Sequence, residues 1–170
     1  MIRGKFLTSK DDISQIIAMR REIFVEELGF PAEYEPDEHD NMAVYALAYA
    51  DDGTPIASGR LYIENDRFTI GRVCVIKPLR RMQIGDFIMR MLLYRAQELN
   101  AGSVSLECEV DNMHFYTRYG FKPQGEVIDI CGRAGRRMCV SGEDINIEGS
   151  CHCQKKCDGC TGDCGECSNG

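Results

Sequence analysis

Two stretches of the chain place apolar residues at steps of three and four, the spacing of one face of a helix. The first runs from Ser9 to Leu28 and stops before Gly29, and Ser9 with Asp12 resembles a capping box at its start. The second, IGDFIMRMLLYRAQELN, follows Pro78 and ends at a Gly-containing turn. We predict a helix in each stretch and a third, short helix over residues 111–119.

Strand-like segments surround these helices. The turn DDGT separates two of them and favours a hairpin, and the segment RVCVI is apolar on both faces, as in a central strand. A hairpin-rich half followed by strand, helix and strand predicts an α+β fold with a mixed sheet. The predicted strands are residues 2–7, 42–50, 55–63, 67–76, 103–110 and a final strand region from Phe121 that includes 137–140.

Composition places the chain among acidic globular proteins. The 170 residues are 44% hydrophobic, and 20 Lys and Arg against 27 Asp and Glu give a net charge of −7. Such a chain is a poor general binder of nucleic acid or anionic membranes, and we expect neither partner. No apolar run approaches the ~20 residues that span a bilayer, and the start MIRGKFLTSKDD lacks a signal-peptide core. We therefore expect a cytoplasmic protein.

The ten cysteines divide the chain into two parts. Six of them lie within residues 151–167, and the other four stand singly in apolar surroundings, where a thiol usually serves as a small core residue. We predict a globular domain over residues 1–146 and a Cys-rich tail over residues 147–170. The four single cysteines are Cys74, Cys108, Cys131 and Cys139.

The segment RVCVIKPLRRMQIGDFIMRMLL, residues 72–93, is the first candidate for chemistry. A buried strand leads into an arginine-rich loop and then into the first turn of a long helix, where free backbone N–H groups and the helix dipole favour an anion. Arg80 and Arg81 add phosphate-matching guanidinium groups, and Gly85 lets a ligand approach the backbone. The alternative is a helix start with two solvated arginines.

Four segments resemble the GNAT superfamily of N-acyltransferases in order and spacing. RVCVIKPLRRMQIG is similar to its acyl-CoA motif, Arg/Gln-x-x-Gly-x-Gly/Ala after a strand, with Gln83 in place of the middle glycine. MRREIFVEELGFPAEYEPDEHD resembles the R-x-x-VFV-x-EQ-x-x-P…E-x-DE-x-D signature of the ElaA-like branch. LECEVDNMHFYTRYGF and GEVIDICGRAGRRM resemble its later elements, with Glu109 replacing a Gln and Gly135 a His. The resemblance covers residues 2–140.

The resemblance implies a mixed, mostly antiparallel central sheet flanked by helices on both faces. It also implies transfer of an acetyl group from acetyl-CoA to a primary amine of a small molecule or protein, by direct attack within a ternary complex. The resemblance leaves open whether the protein forms a homodimer. The residues that would bind the acetyl-CoA are Val73, Cys74, Val75, Arg80, Arg81, Met82, Gln83, Ile84, Gly85 and Asp86.

The same resemblance assigns catalytic roles. Tyr116 would protonate the departing CoA thiolate, and a backbone N–H of residues 73–75 would stabilise the oxyanion of the thioester. Glu107 and Glu109 share one face of a strand and are candidates for the base, as is His114 with less support. Cys74 resembles a core residue more than a nucleophile. The acidic loop EYEPDEHD either attracts a cationic amine or is only solvated.

The tail has the spacing C-x-C-x3-C-x2-C-x3-C-x2-C and no Val, Ile, Leu, Met or aromatic residue. It cannot bury a core of its own, so any order must come from disulfides or metal. Repeated Cys-x2-Cys pairs favour Zn²⁺ or another thiophilic metal, while redox disulfides and disorder stay open. The second functional hypothesis is therefore a metal-binding or metal-sensing module on a CoA-binding scaffold with little turnover. The predicted ligands are Cys151, Cys153, Cys157, Cys160, Cys164 and Cys167.

Overall fold

Seven strands form one mixed sheet in the computed structural model, which describes residues 1–148. The strand order is β1-β2-β3-β4-β5-β7-β6, and every neighbouring pair is antiparallel except β4 with β5. This confirms the mixed, mostly antiparallel sheet. The strands are β1 (Arg3–Thr8), β2 (Val44–Tyr49), β3 (Pro55–Glu64), β4 (Arg67–Val75), β5 (Ser103–Glu109), β6 (Lys122–Ile130) and β7 (Arg133–Ser141).

Helices cover both faces of the sheet. Five short 3-10 turns join the elements among the described residues, at Ala32–Tyr34, Glu38–Asn41, Lys77–Leu79, Val110–Asn112 and Gly142–Asp144. The helices are α1 (Ser14–Arg20), which continues as a π-helix over Arg21–Glu27, α2 (Ile84–Glu98) and α3 (Met113–Thr117).

The predicted capping box at Ser9 is wrong. Helix α1 begins at Ser14, and its N-cap residue Ile13 contributes no side-chain hydrogen bond. The Asp12 carboxylate instead accepts from the Ser14 backbone N–H (2.9 Å), and Asp11 accepts from Thr8 in the same way (2.7 Å). These two local bonds hold the segment before the helix in turns, because Asp side chains compete with the helix for nearby backbone groups.

Helix α2 packs against the larger apolar core. Five of its side chains are completely buried, and they face the side of the sheet that carries Ala46 and Ala48. The close approach needs Gly59 on β3, where a Cβ atom would lie 2.8 Å from the Leu92 Cδ1 atom. The completely buried side chains of α2 are Ile88, Met89, Leu92, Leu93 and Ala96.

Helix α1 covers the opposite face of strands β2 to β4. Ile16 packs with Tyr45 and Leu47, which alternate along β2 with the alanines that face α2. Met19 and Ile23 pack with Cys74 on β4. The two faces of the sheet therefore have separate apolar clusters.

Strands β4 and β5 form a fork. Their parallel pairing is confined to Phe68–Ile70 with Val104–Leu106, although β4 continues to Val75 and β5 to Glu109. Beyond the three paired positions the two strands separate. The opening between them is the natural place for a ligand, because backbone groups that leave a ladder are free to bind one.

Candidate active site

A cavity of about 1320 Å³ lies at the fork. Its lining runs from the first turn of α2 to residues of the π-helix and of β3 on the α1 side of the sheet. Its walls include Val73, Cys74, Val75, Arg80, Arg81, Gln83, Gly85, Asp86, Glu107, Cys108, Glu109, Phe115 and Tyr116.

A β-bulge shapes the β4 side of the fork. On β3, Ser58 pairs with Cys74 and Arg60 with Gly71, so Arg72 and Val73 together oppose the single residue Gly59. Arg72 has a φ of +53°, in the left-handed region that side chains other than glycine adopt only with strain. Bulges of this kind bend a strand and leave part of its ladder unpaired.

The loop before α2 has the backbone of a glycine-rich loop without the glycines. Arg81 and Gln83 have φ values of +67° and +59°, the left-handed conformation that a glycine would adopt at no cost. Gln83 is the N-cap residue of α2 and makes no side-chain cap, so the first N–H groups of this 15-residue helix receive no side-chain acceptor there. They are suited to a phosphate.

Gly85 lies in that first turn, between the loop and the fork. A Cβ atom added to it would meet Phe115 and Val75 at 3.6 Å, which is ordinary contact distance. The position therefore does not need glycine for packing inside the protein. Its neighbours Met82 and Gln83 are exposed, whereas the Ile84 side chain is buried in the core and offers a ligand only its backbone.

Arg80 is already engaged by the protein. Its two terminal nitrogens donate to the Glu27 carboxylate at 2.5 and 2.7 Å, and its Nε donates to the Val75 carbonyl at 3.0 Å. These bonds lower the pKa of Glu27 below its ordinary value. They tie the loop before α2 to the end of the π-helix, whereas Arg81 lies exposed at the mouth of the cavity.

Asp86 acts inside the protein. The buried carboxylate accepts hydrogen bonds from the Tyr119 hydroxyl (2.5 Å) and from Arg118 (2.9 Å), and Arg90 lies 2.7 Å away. Arg118 itself lines the cavity, so Asp86 orients a third cation at the cavity wall. Sequence reasoning placed Asp86 near the ligand but did not identify Arg118.

Tyr116 reaches the cavity from α3. Its ring makes edge contacts with Phe115 and Phe121, at centroid distances of 5.0 and 6.4 Å. Its hydroxyl has no hydrogen-bond partner among residues 1–148, whereas the hydroxyls of Tyr45 and Tyr119 are both paired with aspartates. Burial raises the pKa of Tyr116 above its ordinary value, with smaller contributions from two nearby cysteines. The hydroxyl therefore keeps its proton at neutral pH.

Cys74 and Cys108 are not suited to act as nucleophiles. Burial raises the pKa of Cys74 and of Cys108 to about 11, so both thiols stay protonated at neutral pH. Cys74 lies 3.7 Å from the Ser58 hydroxyl, and Cys108 donates to the Met138 sulfur at 3.6 Å. The prediction of apolar surroundings is wrong for Cys131, which is exposed at the β6–β7 turn.

Glu107 and Glu109 share one face of β5, as their spacing predicts, and each is paired with an arginine of β7. Arg137 donates to Glu107 at 2.8 Å and Arg133 to Glu109 at 3.0 Å. Glu109 is the more enclosed of the two carboxylates and lies at the open end of the fork. His114 is exposed, with its Nδ1 atom 2.9 Å from the Asp111 carbonyl.

The acidic loop is neither simply solvated nor a free anionic surface. Three of its carboxylates meet three arginines from α1, β3 and β4 in a buried network, and Arg20 and Arg60 are almost completely inaccessible. Asp40 accepts from both at 2.7 Å, and its pKa lies well below its ordinary value, since the hydrogen bonds and charges of the arginines outweigh the effect of burial. The network comprises Arg20, Arg60 and Arg72 with Glu35, Asp37 and Asp40.

Sequence reasoning missed these arginines as partners of the loop. The available signal was a charged residue in each of the apolar strand segments IASGRLYI and TIGRVCV. A charge inside such a segment is expected to be paired, because an unpaired buried charge is very costly.

In the described residues the mixed sheet opens into a fork between β4 and β5, and the start of α2 lines the cavity at that fork. The chain belongs to the acetyltransferase (GNAT) family, whose model matches residues 12–121. It is 28% identical over 118 residues to the uncharacterized N-acetyltransferase YjcF of Bacillus subtilis, covering 69% of this chain and 84% of YjcF.

Solved structures show the same fold. Escherichia coli ElaA superposes with a TM-score of 0.75 at 24% identity, covering 83% of this chain and 100% of ElaA. An acyl-CoA N-acyltransferase from Pseudomonas aeruginosa gives a TM-score of 0.76 at 23% identity, covering 83% of this chain and 100% of that one.

The predicted tail ligands, Cys151 to Cys167, lie outside the described residues, and a metal site there stays a prediction. Within residues 1–148, no cluster of three or more His, Cys, Asp or Glu side chains is arranged to hold a metal ion. The boundary after residue 146 also stays a prediction, although Ile147 still packs on the core. No helix in the described part of the chain has the length and apolar character to cross a membrane.

Proposed function

We propose that the protein is an N-acetyltransferase that moves the acetyl group of acetyl-CoA to a primary amine by direct attack. Among residues 1–148, the Tyr116 hydroxyl has no hydrogen-bond partner and the start of α2 has no side-chain cap. The proposal rests on one observation, that both line the same cavity at the β4–β5 fork. A proton donor and a phosphate site on one cavity are what transfer from a CoA thioester requires.

Acetyl-CoA is the substrate that the α2 side of the cavity fits. The pyrophosphate would accept hydrogen bonds from the backbone of residues 83–86, with Arg81 and Arg118 adding charge. The Arg80 guanidinium group would also bind the pyrophosphate, after releasing the Glu27 carboxylate. The pantetheine arm would run along residues 73–75, whose backbone has left the β5 ladder. This places the thioester at the fork, beside Tyr116.

The acceptor amine would enter from the side of the sheet that α1 covers. The neutral nitrogen attacks the thioester carbon, and the carbonyl oxygen becomes an oxyanion that a backbone N–H of residues 73–75 stabilises. As the C–S bond breaks, Tyr116 gives its proton to the CoA sulfur, and the nitrogen loses one proton. Glu109 is the carboxylate best placed to accept that proton, because it lies at the open end of the fork.

Turnover with a panel of amines tests this proposal. The panel contains amino acids, polyamines, aromatic amines and lysine peptides, and free CoA and acetylated product are separated by chromatography, since the protein's own thiols would react with a colorimetric reagent. We expect CoA release that matches acetylated product one to one for at least one amine class. Release at the rate of the amine-free control with every class would contradict the proposal.

Tyr116→Phe sharpens the test. The phenyl ring keeps the edge contacts with Phe115 and Phe121, so folding and the thermal shift by acetyl-CoA stay as in the wild type. Loss of the proton donor lowers kcat by about 10²-fold. Tyr94→Phe is the matched control, because Tyr94 is an exposed tyrosine of α2 outside the cavity. Equal kcat values in the two variants would remove Tyr116 from its role.

A further inference from the structure

Arg72 makes an unusually complete set of contacts for a half-buried side chain. Its Nε donates to the buried carboxylate of Glu35, and its Nη2 donates to Asp37 and to the Tyr34 carbonyl, both at 2.9 Å. Its guanidinium carbon also lies 3.5 Å from the centroid of the Tyr34 ring. The planar group is therefore fixed by hydrogen bonds at its edge and by an aromatic ring at its face.

The bulge in β4 is what lets Arg72 make these contacts. Ile70 and Val73 face the α2 core, whereas Cys74 packs with Met19 and Ile23 of the α1 side. In a regular strand, residues 70, 72 and 74 would share one face, and Arg72 would point into the apolar core beside Ile70. The extra residue moves Arg72 to the α1 side, where the acidic loop holds it.

Holding Arg72 fixes the backbone that follows it. Within residues 1–148, the register pairs Val73 with no single residue of β3 or β5, so the regular alternation of a ladder does not fix the direction of its N–H group. The nearest constraint on that peptide unit is the strained residue Arg72, at φ +53°. Such a conformation persists only where the surroundings enforce it, and the loop from Tyr34 to Asp37 supplies that enforcement.

We propose that Arg72 is a positioning residue for acyl transfer: its clamp by Tyr34, Glu35 and Asp37 holds the β4 bulge so that the backbone N–H at Val73 faces the thioester oxygen. This inference rests on the proposed function, and it gives the buried acidic loop a role in the reaction. A preorganised donor acts on the transition state more than on the bound substrate. Loosening the clamp therefore lowers kcat and leaves acetyl-CoA binding nearly intact.

Steady-state kinetics of three variants test this proposal. Arg72→Lys keeps the charge but lacks the planar fork, and Arg72→Ala removes both. Arg21→Ala is the matched control, since Arg21 donates to the Glu35 carbonyl of the same loop at 2.5 Å but lies outside the bulge. We expect kcat to fall by about 10²-fold in Arg72→Ala and by about tenfold in Arg72→Lys, with KM for acetyl-CoA within about twofold of wild type.

Three results would overturn the proposal. The first is a wild-type kcat in Arg72→Lys, which decides the matter even where Arg72→Ala fails to fold. The second is an equal loss of kcat in Arg21→Ala, which would indicate a general effect of the loop. The third is a rise in KM for acetyl-CoA that accounts for the whole loss of kcat/KM.

A second readout separates this inference from the proposed function. Amide hydrogen exchange of residues 71–74, measured by NMR without any acceptor, reports the bulge directly. We expect faster exchange in Arg72→Lys than in Arg21→Ala, and equal exchange in the two overturns the clamp. The variants could show this exchange pattern while the wild-type protein transfers no acetyl group. That result would contradict the proposed function and the catalytic part of the inference, and Arg72 would keep only a structural role.

Discussion

The two faces of the sheet are held by different forces. On the α2 face, fully buried aliphatic and methionine side chains pack against alanines and Gly59. On the α1 face, three arginines and three carboxylates are enclosed beside a much smaller apolar cluster. Apolar packing is non-directional and tolerates rearrangement, whereas paired charges tolerate very little. The α1 face therefore fixes geometry, and the α2 face supplies most of the stability.

The two faces also contribute different parts of the candidate site at the fork. The α2 face contributes the start of a helix, whose backbone can bind a phosphate without fine adjustment of side chains. The α1 face contributes the bulge at Arg72. The direction of the bulge backbone depends on the hydrogen bonds that Arg72 donates to specific atoms. Changes to each face should therefore differ in size and in their dependence on pH.

Removing one charge from the α1 network gives the largest expected effect. Asp40→Asn leaves Arg20 and Arg60 without a shared carboxylate in a buried site, and we expect a loss of about 3–5 kcal/mol in the free energy of unfolding. Urea unfolding at pH 7 measures it. Asp51→Asn is the control, an exposed carboxylate paired with the N-terminus. A loss below about 1 kcal/mol would contradict the view that the network fixes this face.

On the α2 face, Leu92→Ala should cost about 2–4 kcal/mol through lost burial and the cavity left behind, since Leu92 is fully buried. Unlike Asp40→Asn, this variant should keep the wild-type dependence of stability on pH, because no charge changes. Urea unfolding at pH 7 and pH 3 separates the two. If the stability of Leu92→Ala also lost its dependence on pH, the proposed difference between the two faces would be wrong.

Acid should weaken the α1 network. The arginines lower the folded-state pKa values of Asp37 and Asp40 below their ordinary value of 3.8, so the unfolded chain takes up protons first as pH falls. This stabilisation is complete well above pH 4 and is lost as pH drops below that value. Unfolding followed from pH 7 to pH 3 should show this decline, and Asp40→Asn should flatten it. An equal decline in Asp40→Asn would place its origin elsewhere.

Gly85→Ala should separate ligand binding from packing at the start of α2. The added Cβ atom meets Phe115 and Val75 at ordinary contact distance, and alanine favours the helix, so stability should be equal to wild type or higher by up to ~1 kcal/mol. A ligand that approaches this backbone would meet the new methyl group, and we expect acetyl-CoA affinity to fall about tenfold. Calorimetric titration measures it, and unchanged affinity would place the phosphate elsewhere.

Gln83→Gly is expected to have the smallest effect. The change relieves the left-handed strain at φ +59°, worth about 1–2 kcal/mol, but adds nearly as much backbone entropy to the unfolded chain. The melting temperature should therefore change little, while acetyl-CoA affinity stays within a few-fold of wild type. A large loss of affinity would mean that the Gln83 side chain itself contacts the ligand.

How far the sequence predicts this molecule differs between the two faces. The periodicity of α2 is a local pattern, so a single segment was enough to predict the helix. The Arg80–Gly85 motif lies in the same segment, and the anion site it indicates stays a prediction. The network on the α1 face joins residues 20 to 72, and no local period relates them. Strand β6 was similarly hard to predict, because most of its residues are exposed and its pattern is polar.

The residues of the candidate site show the same division between local and distant signals. Tyr116 and the loop before α2 came from contiguous motifs, whereas the partners that orient the site are distant in sequence. Examples are Glu27 on Arg80, Arg133 on Glu109 and the clamp on Arg72. Only the fold shows which carboxylate neutralises which arginine.

The narrow pairing of β4 with β5 has a mechanical consequence. Three paired positions join the two halves of the sheet, whereas every other neighbouring pair is joined by six or seven. A force that pulls strands β1–β4 away from β5–β7 would therefore separate the sheet at this junction, because the fewest backbone hydrogen bonds break there. A ligand bound in the fork contacts both halves of the sheet across this junction. The stiffness of the whole sheet therefore reports whether the fork is occupied.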